Sequence, residues 1–230
     1  MATKSDKRLV SGLTKGKRTR GEIVARALHM AALEGLAAVS IGSLAKELKM
    51  SKSGLFVHFG SKENLETAVV ERASVLFFDH VLIPTEEDGL EGIERVWALC
   101  DLWLEFVEDR VLPGGYFFTG AFFQCAGQDG SIPKQIREVM REWVNTLRVA
   151  VDGARRRGEL RMTIDAKRTA LELNGLLLGA QWSYLMEHKD RTQARSAILA
   201  RLASMATEDI PASAFDSVRA WRKYLESRHE

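Results

Sequence analysis

Residues 40–65 read SIGSLAKELKMSKSGLFVHFGSKENL and predict two short helices joined by a tight turn. Ser40 is suited to begin the first helix, because its hydroxyl can accept a hydrogen bond from a backbone N–H that has no partner within the helix. Ile41 and Leu44 then start an apolar pattern with helical spacing. Ser51 offers a second cap soon afterwards, so too little chain remains for anything but a sharp turn between the helices.

The second predicted helix, residues 52–59, has a small, basic and hydroxyl-rich outer face. Leu55 and Phe59 are its buried residues, and the outer face shows Lys52, Ser53, Gly54, Phe56 and His58. This face has no acidic residue, and helix-turn-helix proteins place their base-contacting residues at the start of such a helix. The bare pattern also fits a helical hairpin inside a protein core, so the interpretation needs support from the rest of the chain.

Basic residues are concentrated at the N-terminal end. The whole chain carries a formal charge of +2, but residues 1–62 contain twelve Lys or Arg and four acidic residues, a net charge of +8, which leaves −6 for the remainder. This split is typical of a nucleic-acid-binding end joined to a neutral or acidic domain. A basic solvated tail is the alternative, because five of the twelve fall within residues 1–17.

Two segments resemble one known family. Residues 51–65, SKSGLFVHFGSKENL, are similar to the recognition-helix signature of the TetR family of bacterial transcriptional regulators, and residues 19–35, TRGEIVARALHMAALEG, are similar to its first helix. The resemblance implies an all-α fold, with an N-terminal three-helix helix-turn-helix DNA-binding domain followed by a larger helical ligand-binding and dimerisation domain. Lys49 stands where the family usually has glycine in the turn, and Phe56 stands where tyrosine is commoner.

We expect three segments along the chain: a flexible basic arm over residues 1–16, the helix-turn-helix domain over residues 17–62, and the ligand-sensing and dimerisation domain over residues 63–230. The arm is polar and lacks periodicity, so it either stays disordered or reaches into a neighbouring DNA groove. Thr19 is the predicted N-cap of the first helix, and Gly35 is its predicted end.

The predicted DNA partner is a double-stranded, near-palindromic operator. Lys52, Ser53 and Gly54 are expected to approach base edges. Residues that hold the backbone register carry no sequence information themselves. The residues predicted for that role are Thr19, Ser40, Ser43, Ser51, His58 and Lys62, and Lys49 and Phe56 complete the predicted DNA-binding set.

The helix predicted near residues 165–188 is apolar nearly all the way round. Such a helix must be covered on every side, and the simplest second cover is another copy of the protein. Gly175 and Gly179 allow a close helix crossing there. The helix predicted near residues 192–206 supplies a second element of the same interface through Ala194, Ile198, Leu202 and Met205, so the sequence predicts a homodimer.

Aromatic residues are frequent on the helices that would surround the centre of the second domain. Each fits a packed core as well as a ligand site, but together they indicate an apolar pocket with few polar anchors. The candidate contacts for a small-molecule effector are Trp97, Trp103, Phe106, Phe118, Phe122, Cys125, Met140, Trp143, Asn174, Leu178 and Trp182. In a TetR-like protein the helix over residues 63–77 would connect this pocket to the DNA-binding domain.

The sequence shows no motif for a catalytic, metal or cofactor site. There is no phosphate-cradling glycine loop, no paired histidines at metal spacing and no Gly-x-Ser-x-Gly motif, so we expect no catalytic residue, metal or cofactor. Cys100 and Cys125 are expected to be reduced core residues. No apolar run reaches membrane-spanning length and no apolar signal core is present, so a cytoplasmic protein without membrane contact is expected.

These observations predict a ligand-responsive, DNA-binding transcriptional regulator rather than an enzyme. The expected form is a repressor that binds a palindromic operator as a dimer and is released by a small apolar or aromatic ligand. A helical small-molecule-binding protein without DNA binding is the alternative from another class, and an all-α enzyme is a weaker one.

Overall fold

The structure, a computed structural model, describes residues 15–113, 115–187 and 192–229. Within these ranges the chain is almost entirely helical, and its extended pairing is limited to one isolated bridge between Leu160 and Ala206. Most of the predicted arm, residues 1–14, lies outside the described residues. The predicted all-α fold is confirmed.

Eleven α-helices make up the described part of the chain, together with short 3₁₀ helices and one π-helical turn. They are α1 (Lys15–Glu34), α2 (Ile41–Glu47), α3 (Lys52–Phe59), α4 (Lys62–Phe77), α5 (Ile83–Glu87), α6 (Gly92–Glu108), α7 (Phe117–Gln124), α8 (Ser131–Arg156), α9 (Ala166–Glu187), α10 (Thr192–Ala203) and α11 (Val218–Ser227).

The two helices of the opening motif begin where their serines predict. Ser40 accepts a hydrogen bond from the backbone N–H of Ser43 at 3.0 Å, and the Ser43 hydroxyl accepts one from the backbone N–H of Ser40 at 2.9 Å. These reciprocal bonds form a capping box that satisfies two backbone donors. Ser51 accepts from the backbone N–H of Gly54 at 3.0 Å. Both predicted caps are confirmed.

The first helix begins earlier than predicted. It is already helical at Lys15, so Thr19 lies inside α1 and the prediction that Thr19 caps it is wrong. The end of the helix is as predicted, because Glu34 is its last residue and Gly35 has a φ of 91°, in the region that favours glycine.

The helix after the motif, α4, ends at Phe77 as predicted, but the chain stays helical beyond it. A π-helical turn over Phe78–Leu82 leads directly into α5. Pro84 is tolerated there because it lies in the first turn of α5, where a backbone N–H has no helical partner in any case. The helical path from α4 therefore continues to Glu87.

The described residues form two compact units. One contains residues up to Val75 together with Phe117–Ile136, and the other contains Leu76–Tyr116 and residues from Arg137 onwards. The first unit thus holds the helix-turn-helix and also α7, which is distant from it in sequence. The domain boundary expected between residues 62 and 63 stays a prediction.

The core of the second unit is built around α6. This helix buries the predicted face of Ile93, Trp97, Cys100, Leu104 and Val107, and it packs against α9 and α10. The pKa of the buried Cys100 thiol is raised to about 12 by the loss of solvent, with a further contribution from the neighbouring Asp101 carboxylate. Cys100 is therefore a protonated core residue, as expected.

The C-terminal helix α11 docks on the same unit through Trp221, which is fully buried. The Trp221 ring stacks on Phe215 with centroids 4.9 Å apart and meets the edge of Trp97 at 6.2 Å. Glu159 adds a polar tie, because its carboxylate accepts from the backbone N–H of Ile93 at 2.8 Å and from the Arg228 guanidinium at 2.6 Å. Glu159 thereby pairs with a backbone N–H at the N-terminus of α6 that has no helical partner, and it binds Arg228 just after the end of α11.

Candidate DNA-binding surface and aromatic cluster

The recognition helix α3 lies on the first unit with Leu55 and Phe59 buried and its remaining side chains largely outward. Lys52 and Ser53 are exposed and Gly54 is half-buried, so the three residues predicted to approach base edges share one accessible surface. Residues 48–62 contain no acidic residue. The surface can therefore approach a polyanion without like-charge repulsion from its own helix.

The serines of the motif are engaged in capping. Ser40 and Ser43 are half-buried, and the Ser43 hydroxyl also donates to the backbone carbonyl of Ala38 at 3.1 Å. Ser51 is exposed and caps α3. Ser53 lies within 3.3 Å of the Ser51 hydroxyl and is not part of a cap. The role of Ser40, Ser43 and Ser51 at a phosphate backbone stays a prediction, and their established role is to set the helix starts.

Lys49, in the turn between α2 and α3, has a φ of 53°. The turn thus has the left-handed backbone that the family achieves with glycine, and a lysine adopts it here with some strain. The side chain of Lys49 is exposed. The departure from glycine leaves the turn geometry intact and adds a positive charge beside the recognition helix.

Lys62 follows the recognition helix and is half-exposed. Its ammonium lies 3.4 Å from the Glu66 carboxylate, one helical turn further along α4. A surface pair of this kind contributes little to stability, so the lysine is available to another anion. His58 and Thr19 are half-buried, and their predicted DNA contacts stay predictions.

Two residues of this surface, Val57 and Arg20, were not predicted from the sequence. Val57 is 83% exposed, the largest fraction among the exposed large hydrophobic residues in the described ranges. Phe56, which belongs to the predicted DNA-binding set, is 52% exposed beside it. Arg20, on α1, places its guanidinium over the Phe59 ring at 5.0 Å and adds an exposed cation near the end of α3. The spacing of Val57 from Leu55 and Phe59 would have indicated its outward position.

The helix-turn-helix also has a contact with α7. The backbone N–H of Leu36, at the start of the 3₁₀ turn after α1, donates to the Gln124 side-chain carbonyl at 2.9 Å. The same amide group lies against Gly35, where a Cβ atom would collide with it. No local signal in the sequence predicts this contact, because the two residues are far apart along the chain.

An aromatic cluster lies within the second unit. The Phe77 ring, at the end of α4, meets Phe106 at 5.7 Å, Tyr116 at 5.1 Å and Trp143 at 5.3 Å between centroids. Trp103 joins through Tyr116 at 5.5 Å. All five side chains are buried. Phe77 and Tyr116 were not among the predicted ligand contacts, although they connect the predicted ones.

Asn174 supplies the polar atom expected at this cluster. Its side-chain oxygen accepts from the Trp143 indole N–H at 3.1 Å, and the asparagine is half-buried. Burial raises the pKa of the Tyr116 hydroxyl well above its usual range, so this group stays protonated and can donate a hydrogen bond. The cluster is therefore apolar with a few hydrogen-bonding groups.

Several predicted ligand residues lie elsewhere. Trp97 packs on the C-terminal helix, while Trp182 is 63% exposed on α9. Phe118 and Phe122 belong to the first unit. Cys125 is half-buried and lines a surface cleft of about 370 Å³ there, so the prediction that it is a core residue is wrong. Met140 and Leu178 are half-buried. The residues that the structure brings together are Trp103, Phe106, Trp143 and Asn174.

One face of α9 remains open. Leu173 and Leu177 are fully buried in the second unit, whereas Leu171, Trp182 and Met186 are exposed on another face of the same helix. The two-sided apolar character predicted for this helix is confirmed.

The prediction that Ile198, Leu202 and Met205 contribute to a dimer interface beside α9 is wrong. Ile198, Leu202 and Met205 are fully buried inside the protomer. The outward residues of the helix are small or polar, and they are Thr192, Gln193, Ser196, Ala197 and Ala200.

The described residues contain no group of three or more His, Cys, Asp or Glu that could hold a metal ion. In those same ranges no helix combines the length and the apolar character needed to cross a membrane.

Two family models match the chain. The model described as bacterial regulatory proteins, tetR family, matches residues 23–69, and the model described as Tetracyclin repressor-like, C-terminal domain, matches residues 92–199. A search of curated protein sequences finds no match.

Solved structures show the same fold. A TetR transcriptional regulator from Chloroflexus aurantiacus is 24% identical with a TM-score of 0.70, and the match covers 84% of this chain and 96% of that one. A TetR-family regulator from Agrobacterium tumefaciens is 16% identical with a TM-score of 0.71, covering 84% and 100%. AibR, solved in complex with isovaleryl coenzyme A and operator DNA, is 20% identical with a TM-score of 0.63, covering 81% and 97%.

These identities show a likeness of fold, while the two family models account for the recognition helix and most of the second unit. Since the models together span more than half of the sequence, the chain belongs to the TetR family of bacterial transcriptional regulators, with an N-terminal helix-turn-helix DNA-binding domain followed by a helical C-terminal domain.

Proposed function

We propose that this protein is a cytoplasmic, dimeric repressor that binds a near-palindromic operator and is released by a small apolar or aromatic ligand. The observation that carries the proposal is the exposed face of α3, which presents Lys52 and Ser53 with no acidic residue between Lys49 and Lys62. A surface of this composition at a helix-turn-helix is suited to the major groove.

Two kinds of DNA contact follow from the positions of these residues. Lys52 and Ser53, at the exposed start of α3, would approach base edges, and Gly54 permits the backbone to come close. Lys49 and Lys62 stand at either side of the helix in sequence and would neutralise phosphates. Phosphate contacts hold the register and base contacts discriminate among sequences, so the two sets should respond differently to substitution.

The open face of α9 supports dimerisation. Leu171 and Trp182 are 65% and 63% exposed on a helix whose opposite face is buried, which leaves a large apolar surface to cover. A second copy with the same face would cover it by two-fold symmetry, and Gly175 and Gly179 would allow the helices to approach closely. Two recognition helices would then meet half-sites whose centres are about one helical turn, or a multiple, apart.

The aromatic cluster supports a ligand-responsive mechanism. Phe77 is both the last residue of α4, the helix that begins directly after the recognition helix, and a member of the cluster. A ligand that repacks this cluster would therefore act on the end of α4. Release from DNA requires that the ligand bind more tightly to the conformation that does not fit the operator.

The identity of the ligand does not follow from the relatives. AibR was solved with isovaleryl coenzyme A, and a regulator from Saccharomonospora viridis was solved with choline. These two ligands share little chemistry. The apolar or aromatic character that we propose depends on the cluster of this chain.

The DNA-binding proposal is tested by selecting duplexes from a randomised pool with the purified full-length protein, then measuring affinity against salt. Lys62→Ala should weaken binding to every duplex and lower the salt slope by about one unit, because one counterion-releasing contact is lost. Lys52→Ala should instead change the preference among duplexes. Lys223→Ala, which removes an exposed lysine of α11, is the matched control and should change neither quantity.

Failure to select any duplex at low salt would overturn the proposal and favour a small-molecule-binding protein without DNA binding. An unchanged salt slope for Lys62→Ala would remove this residue from the phosphate-contacting set. Unaltered sequence preference in Lys52→Ala would remove Lys52 from the base-reading set.

The induction mechanism is tested with anilinonaphthalene sulfonate, a fluorescent probe that is aromatic and apolar. We expect it to bind less tightly to the operator-bound protein than to the free protein, since the two ligands select different conformations. Equal probe affinity in the two states would contradict the mechanism while leaving the DNA-binding proposal intact.

A further inference from the structure

The outward position of Val57 is a consequence of helix geometry. Val57 lies two residues after Leu55 and two before Phe59, both of which are buried. At 3.6 residues per turn, a separation of two residues corresponds to a rotation of about 200°, so Val57 points almost directly away from the core that holds α3. It follows Ser53 by four residues and therefore lies beside it on the same face.

No contact with the described part of the chain explains an apolar side chain at this position. Val57 is 83% exposed, and a β-branched residue is not favoured in an exposed helix by its intrinsic propensity. Phe56 is the one exposed apolar neighbour within α3, and the rest of the outer face is polar and basic, with Lys52 and Ser53 exposed on the preceding turn. An apolar protein partner is a poor match for this charged surface, whereas DNA is a good match.

The major groove offers one apolar feature on its floor, the methyl group of thymine. The isopropyl group of valine has no hydrogen-bond donor or acceptor, so it cannot pair with the polar edges of adenine, guanine or cytosine. The isopropyl group can, however, pack against the thymine methyl group and exclude water from both. Ser53, beside it, retains a hydroxyl for a polar edge nearby.

We propose that Val57 is a specificity-determining residue that reads the methyl group of one thymine in each operator half-site. This inference rests on the proposed DNA-binding function and adds a chemical identity to one base of the operator. Lys52 and Phe56 lie on one side of Val57 around the helix, so Val57 would read a base beside those that Lys52 approaches.

The test uses the full-length protein and a duplex obtained by selection from a randomised pool. Each thymine of one half-site is replaced in turn by uracil, which removes the methyl group and nothing else. We expect one replacement to weaken binding of the unmodified protein about fourfold, the effect of losing one buried methyl group. The Val57→Ala variant should lose this sensitivity and bind the thymine and uracil duplexes within a factor of about two.

Ser53→Ala is the matched control, since it changes the neighbouring residue on the same face and should keep the thymine-to-uracil effect. Val57→Ala is expected to fold normally because the side chain is exposed and alanine has the higher helix propensity, and an unfolding curve that shows no loss of stability verifies this. Insensitivity to every uracil replacement, or the same sensitivity in Val57→Ala, would overturn this inference alone. Failure to select any duplex would overturn the proposed function and this inference with it.

Discussion

At the scale of single residues, backbone conformation and helix capping make local contributions to stability in both compact units. Lys49 has the left-handed conformation in the turn, and Asp165 caps α9 by accepting hydrogen bonds from the backbone N–H groups of Lys167 at 2.9 Å and Arg168 at 3.1 Å. Neither residue is buried. Their effects can therefore be measured without disturbing a core.

Lys49→Gly should raise the free energy of unfolding by about 0.5–1 kcal/mol, because relief of left-handed strain exceeds the extra freedom of glycine in the unfolded chain. Lys49→Ala removes the same charge without relieving the strain, so it should not stabilise the protein. Urea unfolding monitored by circular dichroism distinguishes the two variants. Equal stability of the glycine and alanine variants would contradict the strain argument.

The Asp165 cap should produce a pH-dependent contribution to stability. Hydrogen bonds from the backbone N–H groups of Arg168 and Lys167 hold the pKa of its carboxyl below the ordinary value of 3.8. A folded-state pKa below the unfolded value means that the contribution is present above pH 3.8 and is lost as the pH falls through the folded-state pKa. Asp165→Asn retains the capping oxygen but cannot titrate.

We therefore expect Asp165→Asn to be less stable than the unmodified protein near neutral pH and equally stable in acid below that pKa. Chemical unfolding at a series of pH values measures the difference. A difference that stays constant across the series would show that the carboxylate charge does not contribute through this cap.

At the scale of secondary-structure elements, a buried ion-pair network joins three helices of the second unit. The Arg195 side chain, on α10, is only 7% exposed and forms a short ion pair with Asp101 of α6. Its guanidinium also lies 3.5 Å from Glu105 and 3.8 Å from Glu108. Arg222 of α11 reaches the other Asp101 oxygen at 3.3 Å. The network orients α10 and α11 on α6.

Arg195→Ala should lower the free energy of unfolding by about 3 kcal/mol or more, because it leaves partly buried carboxylates without their shared cation. Arg222→Ala is the matched comparison. The Arg222 side chain is 55% exposed and meets the same aspartate, so its loss should cost less than about 1 kcal/mol. Urea unfolding measures both variants, and similar losses for the two would contradict the importance of burial.

The element scale also shows how much of the fold the sequence could predict. The helix starts at Ser40 and Ser51 and the helix end at Gly35 were predictable because caps act on backbone groups within a few residues. Thr19 was misassigned because a good capping residue can also lie inside a helix that begins earlier. The continuation through Pro84 was missed since proline is compatible with a first helical turn as well as with a loop.

At the scale of the whole molecule, the open face of α9 determines the assembly that we propose. Its exposed apolar residues need a cover, and a second copy meets this need symmetrically. Trp182→Glu would place an unpaired charge in the centre of that interface and should weaken dimerisation at least about 30-fold, the effect of losing one hot-spot aromatic. Sedimentation velocity over a range of protein concentrations measures the change.

Leu33→Glu is the control for this prediction. Leu33 is 59% exposed on α1, in the other compact unit, so the same change there should leave the mass in solution unaltered. A Trp182→Glu variant that remains dimeric at all concentrations would contradict the assignment of the α9 face to the interface. Operator affinity should fall together with dimerisation, because one recognition helix alone contacts only one half-site.

The candidate sites were predictable to different degrees. The outward face of α3 was predictable because the helix is short and its buried residues, Leu55 and Phe59, are evident from spacing, although Val57 was omitted. The DNA contacts assigned to this face stay predictions. The ligand contacts stay predictions, and only some of these residues lie together, since apolar spacing shows that Trp97, Trp103 and Trp182 lie on helices but not what each one meets. Trp97 meets the C-terminal helix and Trp182 is exposed, while Trp103 joins the aromatic cluster.

The sequence by itself determined most of the helices, the caps at Ser40 and Ser51, the family and the charge of the DNA-binding end, because these depend on interactions within a few residues and on composition. Only the tertiary structure decided that Phe77 and Tyr116 complete the aromatic cluster, that Gln124 supports Leu36, and that α10 buries Ile198 rather than exposing it. A stripe of apolar residues along a helix indicates that this face must be buried, but the residues that cover it come from distant parts of the chain. The recognition helix illustrates both points, since its spacing indicates its outward face and the described residues of the folded protein leave Val57 uncovered.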